Sequence, residues 1–255
     1  MNQILITKKL YITPELKRKK KVYKFNFLIS LFVVVILTSA YIYAEYDRNK
    51  SEAASQEILA SIEEQQDNTV AQNSNILIVV LDEENEIDEE EQQEIIEEQE
   101  RAMATANTPT TVINTTKDGY RYVTVATINI PKINVNYPIL DGETDSVQET
   151  DALLKIAPTK FWGANPNEVG NFCIVGHNYR NKKFFSKVPT LVNGDIIEIT
   201  DMQGNTMQYE VYSKYEVEPS NTDCTTQLTD GRKEITLITC TDDSKHRVIV
   251  KASAI

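Results

Sequence analysis

Residues Phe25 to Ala44 constrain this chain more than any others: twenty consecutive residues carry no charge, and sixteen of them are apolar. At 1.5 Å rise per residue a helix of that length spans about 30 Å, the thickness of a bilayer's hydrocarbon core. A secretory leader is the competing reading, with Ala44 offered to a signal peptidase, but leader cores run to about 7–15 residues behind a short basic start. Here a longer run follows 24 preceding residues, which predicts an uncleaved transmembrane anchor. Lys17, Arg18, Lys19, Lys20, Lys21 and Lys24 stand directly before it, and an excess of Lys and Arg marks the cytoplasmic side. The expectation is a single-pass protein of the cell membrane: 1–24 a basic cytoplasmic segment, 25–44 the anchor, and everything beyond Ala44 extracellular.

Charge divides along the same lines. The net charge of −12 splits into +7 for residues 1–24, −16 for residues 45–116 and −3 for the remainder, so no part beyond the anchor offers a basic footprint for nucleic acid. Between Asp82 and Glu100 there are twelve acids in nineteen residues, which repel one another and bury too little apolar surface to offset chain entropy. Residues 45–117, acidic and then Thr-rich, are accordingly expected to form a disordered extracellular spacer. Ala54, Ile58, Leu59 and Ile62 have helical spacing, so a short amphipathic helix is expected to continue out of the membrane. A run of acids is also a poor metal site, because ligation needs converging side chains.

The pattern changes near Tyr120. Short runs of alternating apolar and polar residues, broken by Gly, Pro, Asn and Asp, predict an all-β domain over residues 118–255. Strands are expected near Tyr120–Ile128, Asn134–Ile139, Gly170–Val175, Asp195–Thr200, Thr206–Val217, Glu234–Cys240 and Arg247–Ala254, with short helical turns at Asp151–Ile156 and Lys183–Val188. Seven or eight strands in so short a domain suit a closed barrel or a sandwich. No internal repeat, phosphate-binding Gly loop or metal-ligating cysteine pair is present in the sequence.

With two histidines and three cysteines in the whole chain, the candidates for nucleophilic chemistry are few. Cys240 ends a β-prone run, Glu234 to Cys240, and precedes the polar turn Thr241–Lys245, which predicts a thiol at the barrel mouth. Cys173 is flanked by apolar residues and reads as core packing, where free cysteines are common. Cys224 falls in a polar loop, and a Cys173–Cys224 disulfide is disfavoured by the burial expected of Cys173. A thiol that attacks a carbonyl needs a proton donor for the leaving amine, and an imidazole supplies one. His177, after Gly176 at a strand end, is one candidate. His246 is another: with a five-residue loop at Thr241–Lys245, simple antiparallel pairing sets Cys240 opposite His246 and Thr239 opposite Arg247, and only a bulge would bring Arg247 to the thiol's side. Arg247 is the candidate for holding the oxyanion, since guanidinium keeps its charge and presents a planar fork of donors. Spacing alone leaves both histidines open.

The segment Thr236-Leu-Ile-Thr-Cys240, followed by Arg247, resembles the TLxTC signature and downstream Arg of sortases, cysteine transpeptidases of Gram-positive surfaces. Ile130 to Ile139 resembles the family's early strand pair, Gly170-Asn171 leading to Gly176-His177-Asn178 its histidine segment, and Phe184-Phe185 before Gly194-Asp195 the stretch that follows. The resemblance covers residues 120–255 and implies an eight-stranded sortase β-barrel. It assigns Cys240 as nucleophile, His177 as acid and then base, and Arg247 as oxyanion and substrate stabiliser, with His246 incidental. By the same resemblance the enzyme cleaves an LPxTG-like sorting signal after Thr, holds the acyl group as a thioester, and passes it to an amine of a peptidoglycan precursor or a pilin. No cofactor is implied; calcium activation occurs in the family, but no calcium ligand carries over. No second apolar run follows the barrel in the sequence, and the loop from Glu218 to Lys233 is too short for the long helix of class B, which points to a class A-, D- or E-like enzyme rather than B or C. The alternatives are a secreted Cys peptidase or amidase acting on peptidoglycan peptides, and a non-enzymatic anchored adhesion module.

Overall fold

The computed structural model describes residues 14–73, 112–144 and 146–255. The first thirteen residues, the acidic tract at 82–100 and most of the Thr-rich stretch after it lie outside the described residues. The chain divides into two units, Met1–Lys50 and Ser51–Ile255. Helix α1, Pro14–Asn73, contributes to both. It is the one described helix long and apolar enough to cross a membrane, and its apolar side chains, among them Phe25, Leu28, Phe32 and Leu37, are exposed.

The second unit is an eight-stranded closed β-barrel. Its strands are β1 (Arg121–Ile130), β2 (Val135–Gly142), β3 (Thr159–Gly163), β4 (Gly170–Val175), β5 (Ile196–Asp201), β6 (Thr206–Val217), β7 (Lys233–Cys240) and β8 (Arg247–Ala254). They run β1-β2-β3-β4-β7-β8-β6-β5 around the barrel, and β5 closes it by pairing with β1 from Ala126↔Asp201 to Asn129↔Glu198. A two-residue strand, Asn114–Thr115, pairs with the start of β1. All of the expected strands form. Strand β3 is the addition; it is short, it begins after Pro158, and its pairing with β4 shifts register between Lys160 and Trp162, so it lacks the alternation that marks a strand in sequence.

Alternation sorts the remaining side chains between two faces. Phe172, Ile174, Ile235, Leu237, Val248, Val250 and Ala252 join Ile128, Ile139, Ile197 and Val211 in the main core. Residues of opposite parity on the same strands, Val175, Ile238 and Ile249, meet Cys224 and Val217 in a separate cluster on the other face. Cys224 is therefore buried rather than part of an open polar loop, because its 3-10 turn, Asp223–Thr225, folds back over this outer face.

One flank of that outer face is covered by α2 (Val147–Leu154). It forms here because Ser146 caps its N-terminus and Glu149 ties its first turn to the preceding loop. Ser146 Oγ accepts the Glu149 N–H at 3.2 Å, while the buried Glu149 carboxylate accepts the N–H groups of Glu143 and Thr144 at 3.0 and 2.8 Å. Gly142 leaves room for that carboxylate, since a Cβ there would lie 2.4 Å from Glu149 Cδ. Leu153 then packs on Tyr122, Leu140 and Ala157, and Ile58 of α1 joins the same cluster.

That last contact falls in the stretch the sequence assigns to a spacer. Ser55, Leu59 and Ile62 are buried on one stripe of α1, the spacing of a helix face laid on a core, and Gln56 Nε2 donates to the Asn136 carbonyl at 3.1 Å. The amphipathic helix expected after the membrane is present, and within the second unit it is packed against the barrel.

Glu149→Ala should destabilise the barrel by about 1–3 kcal/mol, because it strands two backbone donors that the carboxylate now satisfies. The exposed neighbour Gln148→Ala should stay within about 0.5 kcal/mol of the parent. Urea titrations of both variants measure this, and equal midpoints would remove the cap's role in holding α2.

Candidate active site

Two strand pairings place the chemistry. Strands β4 and β7 are parallel from Gly170↔Lys233 to Val175↔Ile238, a constant offset, so the residues two steps beyond the last pair, His177 and Cys240, leave the sheet side by side. Strands β7 and β8 are antiparallel, and their last pair is Cys240↔Arg247. Paired residues project from the same face. Cys240 and Arg247 share the parity of Ile238 and Ile249, so the thiol and guanidinium rise from the outer face at the strand ends and not from the barrel interior.

The hairpin differs from the simple five-residue loop expected. Thr241 N donates to the His246 carbonyl at 3.0 Å, and Thr241 Oγ1 accepts the His246 N–H at 3.1 Å. The turn therefore runs from Thr241 to His246, and this one extra residue sets Arg247, not His246, opposite Cys240 with no bulge. His246 points its ring elsewhere, with Nε2 3.2 Å from Glu218 Oε1.

Hydrogen bonds fasten the strand ends. Thr239 Oγ1 donates to the Gly176 carbonyl at 2.8 Å, and Gly176 N donates to the Ile238 carbonyl at 3.0 Å. Asn178 Nδ2 bridges the Cys240 carbonyl, at 2.9 Å, and Asp242 Oδ1, at 3.0 Å. Gly176 is required by close approach: a Cβ there would lie 2.5 Å from the Phe185 ring. The motif around His177 predicts none of these contacts individually, yet Asn178 directly follows His177, where a loop amide can reach the neighbouring strand end.

His177, Cys240 and Arg247 line a cavity of about 240 Å3 together with Val175, Gly176, Thr239, Phe161 and, from α2, Val147, Thr150, Asp151 and Leu154. Sequence reasoning singled out none of Phe161, Asp151 and Leu154, because the strand and helix that carry them meet the site only through the fold. Burial lowers the proton affinity of His177 below the ordinary imidazole value; the charge of Asp151 opposes that shift and Lys155 adds to it. Cys240 is half-buried. Cys173 is wholly buried, with its thiol pushed up to about 12 chiefly by burial, and burial raises Cys224 as well. Neither forms a disulfide. Among the described residues no cluster of His, Cys, Asp and Glu could hold a metal ion.

Residues 128–255 match the family model of the sortase domain. Among solved structures, the chain is similar to a sortase D5 transpeptidase from Clostridium perfringens, at 32% identity over 62% of this chain and 88% of that one, with a TM-score of 0.45. It is similar to sortase A from Corynebacterium diphtheriae, at 24% identity over 66% and 86% of the two chains, with a TM-score of 0.46. It is also similar to sortase C from Streptococcus pneumoniae, at 24% identity over 51% and 65%, with a TM-score of 0.44. No match is found among curated proteins.

Two outcomes follow from the thiols and the imidazole. Under limiting alkylation of the folded protein, Cys240 should be labelled first, since it lines a cavity while Cys173 and Cys224 are buried; peptide mapping that finds Cys173 or Cys224 modified earlier would contradict the geometry. His177, with its folded pKa depressed, binds fewer protons folded than unfolded. Its contribution to stability is present above the unfolded value of about 6.5 and is lost as pH falls through the lower folded value. Melting temperatures from about pH 7.5 to about pH 5 should therefore fall less steeply in His177→Gln than in the parent.

Proposed function

Because the chain belongs to the sortase family and is a cysteine transpeptidase, we propose that it cleaves an LPxTG-like sorting signal after Thr and transfers the acyl group from Cys240 to an amine of a peptidoglycan precursor or a pilin subunit. Phe25–Ala44 anchors it in the cell membrane, with the basic N-terminal segment cytoplasmic and the barrel outside. The observation that carries the reading is the pair of strand registers that bring His177 and Arg247 beside the half-buried Cys240, which lines a cavity with them.

The reaction follows from the charges available. His177 is neutral near pH 7, because burial lowers its proton affinity, so it takes the thiol proton as Cys240 Sγ bonds to the scissile carbonyl carbon. Arg247 holds the oxygen that becomes negative. Collapse breaks the C–N bond, and the imidazolium, favoured by the Asp151 carboxylate nearby, gives its proton to the departing amine. In the second half an acceptor amine attacks the thioester, His177 takes its proton, the S–C bond breaks, and the proton returns to sulfur. The apolar wall of Val147, Leu154, Phe161 and Val175 suits the Leu and Pro of a sorting signal, and about 240 Å3 admits a short extended segment. The one helical element in the loop between β6 and β7 is the 3-10 turn Asp223–Thr225, which agrees with an A-, D- or E-like enzyme.

In peptide ligation with an added amine, Cys240→Ala should abolish product, and His177→Ala should lower the rate by about 10² or more. Arg247→Lys should also be severely impaired through loss of the donor fork, and His246→Ala should keep most activity. A normal His177→Ala enzyme beside an inactive His246→Ala enzyme would overturn the assignment. Cleavage indifferent to the amine would favour a hydrolase.

A further inference from the structure

The loop that carries His177 is held by residues outside the cavity. Between His177 and Phe185, Arg180, Lys182 and Phe184 all have positive φ, at 58°, 70° and 49°, conformations that side chains with a Cβ adopt only when their surroundings impose them. Some of the constraint is internal, as where Phe185 N donates to the His177 carbonyl at 3.1 Å. Beside the Asn178 bridge to the Cys240 carbonyl and Asp242, further constraint comes from β2 and α1. Phe184 N donates to the Tyr137 hydroxyl at 3.2 Å, and the Tyr137 and Phe184 rings stack at 5.0 Å between centroids. Phe184 meets Tyr179 edge-on at 5.5 Å, and Tyr179 lies 4.8 Å from the His177 ring. At the far end of this chain of contacts stands Glu52 of α1, which forms an ion pair with Lys183 of the loop and accepts from the Tyr137 hydroxyl at 3.5 Å.

We propose that Glu52 is a positioning residue for His177: by clamping Lys183 and Tyr137 it fixes the loop of left-handed residues that aims the imidazole at Cys240. The segment of α1 from Ser51 to Ile62 is then a working part of the catalytic unit rather than the start of a tether. The proposal rests on the role given to His177 above. Glu52 does not touch the reacting atoms and acts through Lys183, Tyr137, Phe184 and Tyr179. The charged groups facing His177 itself are Asp151 of α2 and Lys155 directly after it, with Arg247 lining the same cavity, and none of them is altered by changing Glu52.

The test uses the full chain in detergent micelles with His246→Gln, so that His177 is the one imidazole. Ligation kcat and KM are measured together with the NMR titration of the His177 ring. Glu52→Gln keeps the side-chain shape and removes the charge; it should lower kcat by about tenfold, the scale expected when a reacting group is slightly misplaced, with KM little changed and the His177 titration displaced. Lys183→Met should do the same, the double variant should add little, and the exchanged pair Glu52→Lys with Lys183→Glu should recover part of the loss. Parental kcat and an unmoved His177 titration in Glu52→Gln would overturn the proposal, as would a lowered melting temperature with both readouts intact. A displaced titration in Glu52→Gln together with full activity in His177→Ala would support the coupling while overturning the catalytic role of His177, so the two failures are separable.

Discussion

The parallel pairing of β4 with β7 is the constraint on which the site depends. Because side chains alternate along a strand, slipping this pair by one residue would move Cys240 away from His177 and reverse which face each neighbour occupies. The register is pinned by buried polar contacts as well as by the core. Thr236 Oγ1 donates to Asn171 Oδ1 at 2.8 Å, and Asn171 Nδ2 in turn donates to the carbonyls of Cys224 and Thr226 at 2.9 and 3.1 Å. Both Asn171 and Thr236 are fully buried, where a lost partner leaves a desolvated polar group. Thr239 repeats the arrangement three residues on, against the Gly176 carbonyl. The two threonines of Thr236-Leu-Ile-Thr-Cys240 thus hold a register, and the cysteine uses the position they secure.

The position has its value because it lies on the outer face. The interior of the barrel is filled by the apolar side chains of alternate residues, and a substrate peptide could not enter it without unfolding the core. The opposite parity places the thiol, with Arg247 directly across, where a groove can be built from above by α2 and Phe161. The groove wall is therefore only as well defined as the cap that seats α2. The buried Glu149 carboxylate, accepting two backbone N–H groups of the preceding loop, connects the end of β2 to the far wall of the cavity.

Much of this was legible in the sequence. The apolar run, the strand pattern and the reactive residues near strand ends are local signals, and the ordered motifs around His177 and Cys240 carry the sortase resemblance. What was not legible depended on contacts between distant segments. The extra residue in the Thr241–His246 turn is set by Thr241 bonding back to His246, which no count of loop residues reveals, and it decides whether Arg247 or His246 faces the thiol. Strand β3 carries a register shift and pairs with β2 at a single position, Leu140↔Thr159, so it has too little alternation to be recognised. Cys224 reads as a loop residue by its polar neighbours and is buried because the loop lies on Ile238 and Ile249.

The three candidate catalytic groups are not held with equal firmness. Cys240 and Arg247 sit at the ends of strands β7 and β8, paired along their length, and their separation is fixed by the sheet. His177 lies beyond the end of β4, at the start of a loop with three non-glycine residues in the left-handed region, so its aim depends on what packs against that loop. Small adjustments there alter the placement of the imidazole while leaving the thiol and guanidinium where the sheet puts them. The structure puts its aromatic stack of Tyr137, Phe184 and Tyr179, and the ion pair from α1, on that loop.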